Sequence, residues 1–329
     1  FTTYTAYTNI IGFNNVPYSG TGFMEAVPDL KWEKVKTFNI GADFTFLNNS
    51  LTVNADYFNQ RTTDMLEKPI TPSVYGTELD KANIGIMENR GWEVTLNYRF
   101  SASGFNHAFS FNIANTKNKV IEIPQEQINE VDDNVGYIYR KGLPLGAYWG
   151  LKTDGYFQSY DEIKNSATPA DLNVQPGDLK FVDRNKDGKI DKDDRYFLGD
   201  GFPHYSFGFT YNVDYKGFDL SMLIQGVGQR DQALRGDIYV PFHSGAWYPV
   251  MYKHQLDTWS PVNTDAKYPR LADDSSDSFT NNWKRGSDIY ILDGKYLRLK
   301  NIQVGYTIPS KIVQKIGLGR LRSYVTPQN

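Results

Sequence analysis

Four stretches of this chain alternate apolar and polar residues with a period of two. In 37–60, Phe38, Ile40, Ala42, Phe44 and Phe46 share one face, and Asn39, Gly41, Asp43 and Thr45 the other. After the turn Asn48-Asn49-Ser50, Leu51, Val53, Ala55 and Tyr57 resume the apolar face. In 91–116, Trp92, Val94, Leu96, Tyr98 and Phe100 precede the turn 101–104, and Phe105, Phe109, Phe111 and Ile113 follow it. In 204–228, Tyr205, Phe207, Phe209, Tyr211 and Val213 lead to Tyr215-Lys216-Gly217, then Phe218, Leu220, Met222 and Ile224. Strict alternation around a short turn predicts a β-hairpin. A fourth hairpin is predicted over 295–328, with a short helix between Pro309 and Gly317 in its turn.

Long polar connections at about 63–90, 117–203 and 229–293 separate the hairpins. Short turns alternating with long loops, around strands of roughly ten residues, are the pattern of an outer-membrane β-barrel. A soluble β-sandwich with its apolar faces packed together also fits the alternation. Three features favour the barrel: long strands, aromatics gathered at strand ends (Phe44, Phe46, Trp92, Tyr98, Phe100, Tyr215), and a polar but mostly uncharged second face.

Composition narrows the functions. Aromatics make up 15% of the 329 residues, with 23 Tyr and 20 Phe, which suits strands and interfacial girdles. The net charge of −3, with both signs mixed, argues against a nucleic-acid binder. There is no cysteine, which excludes disulfides and thiolate metal sites. No run of about 18 apolar residues predicts a transmembrane helix, and 1–13 lacks the charged and apolar regions of a signal peptide.

One segment breaks the strand pattern. FVDRNKDGKIDKDDR, 181–195, has the spacing of a calcium loop. Asp183, Asn185 and Asp187 occupy positions 1, 3 and 5, and Gly188 permits the sharp turn at position 6. Lys189 offers its carbonyl at position 7, Asp191 acts through water at position 9, and Asp194 stands where a bidentate Glu is usual. Calcium there is expected to be structural, stiffening a long loop. The alternative is a solvated turn whose charges balance against Arg184, Lys186, Lys189 and Lys192.

Other chemistry is sparse. Trp149, Trp247, Tyr248, Trp259 and Trp283 are candidates for stacking on a substrate, or for packing the loops together. His107, His204, His243 and His254 are not in metal-ligand spacing, and Ser244 does not sit in a nucleophile elbow. The acidic stretch 273–278 reads as a solvated loop tip. No nucleotide fingerprint appears, so an enzyme reading has no residues behind it.

Five segments, LKWEKVKTFNIGADF (30–44), NRGWEVTL (89–96), GLPLGAYWGLKTDGYFQ (142–158), 176–209 and 296–329, resemble in order the SusC/RagA family of TonB-dependent outer-membrane transporters of Bacteroidetes. The resemblance implies a partial wall of a transmembrane antiparallel barrel of roughly 22 strands, in the bacterial outer membrane. It implies import of oligosaccharides or oligopeptides with a SusD-like surface lipoprotein, driven by TonB. The plug, the TonB-contacting part and the first and last strands are expected to lie outside this stretch. The hairpin count then predicts that 117–203, with its calcium loop at 183–194, and 229–293 are extracellular.

Two other classes compete. A secreted calcium-binding β-sandwich module of dockerin type would need a second calcium loop, and only one is present. A surface glycan hydrolase would need a positioned carboxylate pair, which nothing in the spacing marks.

Overall fold

The computed structural model describes residues 7–13, 16–22, 30–69, 81–129, 135–234, 236–243 and 250–327. A first hairpin joins β1 (Tyr7–Phe13) to β2 (Val16–Gly22), a pair the alternation does not mark. Four long strands follow: β3 (Lys34–Phe46), β4 (Leu51–Glu67), β5 (Ala82–Ala102) and β6 (Phe105–Glu122). The next connection holds β7 (Gln127–Asn129), β8 (Gly136–Tyr139), β9 (Ala147–Gly150), β10 (Thr153–Tyr156), α1 (Tyr160–Lys164), β11 (Leu179–Phe181) and β12 (Tyr196–Gly199). The long strands resume with β13 (His204–Tyr215) and β14 (Phe218–Gln229). After β15 (Asp231–Ala233), α2 (Asp277–Phe279) and β16 (Ile291–Asp293) come β17 (Tyr296–Thr307), α3 (Ser310–Val313) and β18 (Arg322–Val325).

The long strands form one antiparallel sheet in the order β3-β4-β5-β6-β13-β14-β17-β18. Its register aligns the alternation of every strand. Phe44, Val53, Leu96, Phe111, Phe209, Ile224 and Leu299 form one row across seven strands. On the opposite face Asp43, Asn54, Thr95, Asn112, Gly208, Gln225 and Arg298 form another. The sheet is thus a wall with one apolar and one polar face. A bulge opposite Leu223 and Ile224 loops out Lys300. It lets odd-numbered Leu297 and Leu299 share a face with even-numbered Ile302, Val304 and Tyr306, which unbroken pairing would forbid.

No second sheet covers the apolar face among the described residues, so the sandwich is not formed. Phe38 and Leu297 keep 61% and 71% of their surface exposed. At the end with short turns, both central residues of Ser103-Gly104 and Lys216-Gly217 have positive φ, as a two-residue hairpin turn with matching twist requires. A Cβ on Gly217 would lie 2.8 Å from the Thr307 carbonyl oxygen. Rings meet at this end: Phe105 stacks on Tyr215 at 4.0 Å, and Phe218 lies tilted against Tyr306 at 4.5 Å. At the loop end Trp92 meets Tyr205 at 6.5 Å. Eight residues from Trp92 to Phe100 make about 26 Å of strand. A tilt of about 40° shortens this to about 20 Å, near the apolar band height of a membrane barrel. The predicted helical turn is present: α3 starts after Pro309, and Gly317 ends the following turn at φ 76°.

The strands outrun their predicted ends. β4 and β5 reach into 63–90, leaving a connection of 68–81, and β6 continues to Glu122, so 117–122 belongs to the wall. Two causes hid this. Bulges between Thr62 and Leu66 break the period, and near the loop end the apolar face turns charged at Arg61, Arg90, Lys117 and Lys119.

The two remaining connections, 123–203 and 230–295, fold together into a loop unit with its own core. A four-stranded sheet runs β12-β9-β8-β7. Beside it Tyr148, Tyr239, Tyr268, Phe279, Trp283 and Tyr290 are buried in one cluster, and Leu151, Leu179, Phe181 and Ile190 in another. Buried Asp178 ties these segments together. It accepts from the Gln175 N–H at 2.7 Å, Ser278 Oγ at 2.8 Å and Asn282 Nδ2 at 3.0 Å. Burial pushes its carboxyl above the usual range, against the pull of those donors. The unit is joined to the wall where Val120 pairs its backbone with Gly142 and Leu143, and where Asn118 Oδ1 accepts from the Leu145 N–H at 2.8 Å.

Candidate functional site

The polar face of β6, β13, β14 and β17 meets the loop unit in a cleft of about 540 Å³. Alternation supplies much of its lining. Asn112, Gly208 and Gln225 lie in one row, which Arg298 continues outside the cleft, and Ala114, Ser206, Val227 and Tyr296 lie in the next. Gly208 leaves space: a Cβ there would meet the Asn112 amide at 3.2 Å. Arg298 lies over the Tyr296 ring at 5.5 Å. Arg230 lines the cleft just past β14, and its Nε is buried with no hydrogen-bond partner among the described residues. A buried N–H without an acceptor is costly unless something else accepts from it. The cleft therefore offers amide, hydroxyl and guanidinium groups, suited to polar oxygens of a solute.

The expected substrate aromatics are scattered. Trp149 and Trp283 are enclosed, 6% and 1% exposed, and pack the loop cores; Arg140 covers Trp149 at 4.4 Å. Their burial leaves no ring face for a sugar. Trp259 is half-buried, donates from Nε1 to Gln158 at 3.2 Å, and lies against Gly177, whose positive φ and missing Cβ make room for the ring. Trp247 and Tyr248 lie outside the described residues. The polar cleft residues were missed in sequence because alternation marks a face without marking which of its rows the loops will cover.

Residues 183–194 form a closed loop. Asp183 accepts from the Lys186 and Gly188 N–H groups at 2.6 and 2.9 Å. Asn185 accepts from the Asp187 N–H at 3.0 Å, and Asp187 from the Lys189 N–H at 2.9 Å. Asp194 is fully buried and accepts from the Arg184 and Asp191 N–H groups at 2.8 and 2.9 Å. Asp191 caps the turn Lys192–Asp194. The donor set is all oxygen, as a hard cation prefers, and each carboxylate keeps unused lone pairs. Among the described residues, however, no three acidic or histidine side chains converge on a metal-sized point. The side chains are turned to the loop's own N–H groups.

The histidines serve as braces. His107 meets the Tyr211 hydroxyl at 2.9 Å, and His204 bridges Asn115 at 3.1 Å and Asp200 at 3.5 Å. His254 meets the Ile238 carbonyl at 2.8 Å, and His243 lies 3.4 Å from Asp237.

Comparison with known proteins places these features in context. The family model described as TonB dependent receptor-like, beta-barrel matches residues 1–200. TonB-dependent receptor P3 of Formosa agariphila is 30% identical over 92% of this chain and 30% of its own length. TonB-dependent receptor SusC of Bacteroides thetaiotaomicron is 26% identical over 98% of this chain and 32% of its own. Among solved structures, the RagAB peptide importer in its open-open state superposes with a TM-score of 0.71 at 20% identity, over 99% of this chain and 34% of that one. The chain thus spans about a third of the length of these relatives.

Proposed function

From the premise that this chain belongs to the TonB-dependent receptor-like β-barrel family, we propose that it supplies barrel wall and extracellular loops to a SusC-like outer-membrane importer. The two-faced wall carries the reading: a continuous apolar face for lipid, backed by a polar face for a wet lumen. The importer takes up an oligosaccharide or oligopeptide, received with a SusD-like surface lipoprotein and driven through TonB. Asn112, Gln225 and Arg230 contact the solute in the lumen, and Trp259 meets it from within the loop unit. In the intact protein, Gln225→Ala with Arg230→Ala is expected to lower uptake of the cognate oligomer at least tenfold in a screen of labelled glycans and peptides. An epitope inserted beside Val262, which is 96% exposed, should be labelled on intact cells. A protected epitope overturns the topology; uptake indifferent to TonB overturns the function.

Calcium at 183–194 is part of the same proposal. Asp183, Asn185, Asp187 and Asp194, the Lys189 carbonyl, and Asp191 through water would hold it once the side chains turn inward. Calcium titration should then slow amide exchange across 160–200. Alanine at 183, 185 and 187 should abolish that response, and exchange indifferent to calcium in the wild type sinks the ion.

A further inference from the structure

Above the aromatic row at the loop end, the apolar face changes character. The next two rows toward the loops are Phe38, Asn59, Arg90, Lys117 and then Lys36, Arg61, Glu88, Lys119. Five of these eight positions are cationic and one is acidic. At the same height the other face carries Thr37, Gln60, Asn89, Asn118 and Val35, Thr62, Met87, Val120, without a charge. The cations are therefore placed by face and not merely by the polarity of the loop end. Lys36, Arg61, Arg90, Lys117 and Lys119 are all exposed. None forms an ion pair with a carboxylate among the described residues, whereas neighbouring Lys34 is paired with Asp64 at 2.9 Å.

The patch covers four strands, about 14 Å across, and two rows about 7 Å apart. Directly below it lie Ile40, Tyr57 and Trp92, the start of the apolar face. Lys117 also lines a recess of about 340 Å³ beside Asn115, His204 and Tyr205, with Phe197 and Phe202 each 44% exposed at its walls. A ligand seated here has its charged end among cations and its other end on apolar surface. Soluble polyanions use only the first half of that arrangement. An amphiphile with an anionic head uses both.

We propose that this patch binds the phosphate-bearing headgroups of lipids in the leaflet facing the loops. The inference rests on the outer-membrane reading above. The lysines and arginines form charge-assisted bonds to phosphate oxygens, while the acyl chains lie along the apolar rows toward Phe111 and Phe209. The wall is thereby held at a fixed depth on its β3–β6 side.

The test is native mass spectrometry of the intact protein, extracted in mild detergent, with diphosphoryl lipid A and its dephosphorylated analogue as probes. Wild-type protein should retain the phosphorylated probe at least tenfold better. Changing all five cations to Gln should remove that preference, while Gln at Lys152, Lys164, Lys253, Lys267 and Lys284 in the loop unit should leave it intact. Should the fivefold variant fail to fold, Arg90→Gln with Lys117→Gln removes the centre of the patch, and 0.5 M salt applied to the wild type should weaken the retention by screening. Equal retention of both probes, or retention unchanged by the substitutions in folded protein, overturns the proposal. Retention lost equally in the loop-unit control does so too. Fractionation separates the two levels: protein outside the outer membrane defeats the location reading itself, whereas protein within it that shows no headgroup preference defeats only this inference.

Discussion

The wall and the loop unit use the same residue types in opposite ways. In the wall, Phe38 and Leu297 stand outward and exposed. In the loop unit, Phe279, Trp283 and Tyr290 are enclosed in a core. The wall has no core of its own; its order comes from a backbone ladder and from rows of side chains meeting across strands. The loop unit has little regular ladder and holds together by buried rings and the Asp178 knot. One chain therefore carries two folding strategies, fitted to two solvents.

That contrast is broken most directly at Trp283. Trp283→Ala leaves a cavity in the loop unit and should cost about 3–5 kcal/mol there, seen as faster amide exchange in 230–295 with the wall unchanged. Phe111→Ala on the wall leaves a gap that lipid can fill, so only the transfer loss of about 2 kcal/mol is expected in urea unfolding from vesicles. Equal costs would mean that the wall is packed like a core.

The next test separates the two faces of the wall. Leu96→Arg should destabilise the folded barrel by about 2–4 kcal/mol, as charge does near a bilayer midplane. Thr95→Arg, one residue away on the polar face, should change little. Similar losses at both positions would remove the lipid assignment.

The smallest effect sharpens the loop-unit side. Burial raises the folded pKa of Asp178 above its unfolded value. The stability linked to it is thus fully present below about pH 4, the ordinary Asp range, and is lost as pH rises through the raised folded value. Exchange of the Leu179 amide, corrected for intrinsic rate, should accelerate with pH over that window. Asp178→Asn should flatten the trend, and a trend of opposite sign would contradict the burial argument.

The wall was legible in sequence because each hairpin writes its two faces into alternate positions. Phe44, Leu96 and Phe209 needed no tertiary information to be assigned a side. The strand ends near 63–67 and 117–122 were not legible, since Lys117 and Lys119 are polar on the face where alternation calls for apolar residues. The loop unit was opaque for a different reason. Asp178, Asn282 and Trp283 are brought together across about a hundred residues, and no local period records such meetings. Trp149 and Trp283 could be read in sequence as stacking on a substrate or as packing the loops, because an enclosed ring and a free one have the same neighbours along the chain. Nothing in the sequence around Arg230 marks it, and only the closed space around its Nε sets it apart.

The bulge at Lys300 gives β17 something like a reading frame. Everywhere else along that strand, dropping one residue would exchange inside and outside for every position beyond it. At Lys300 alone, the looped-out residue can be lost and the frame closes cleanly: Leu299 still faces Ile224 and Asn301 still faces Leu223. β17 can therefore change length by one at that position and by two elsewhere along it, while the loops are free of any such arithmetic.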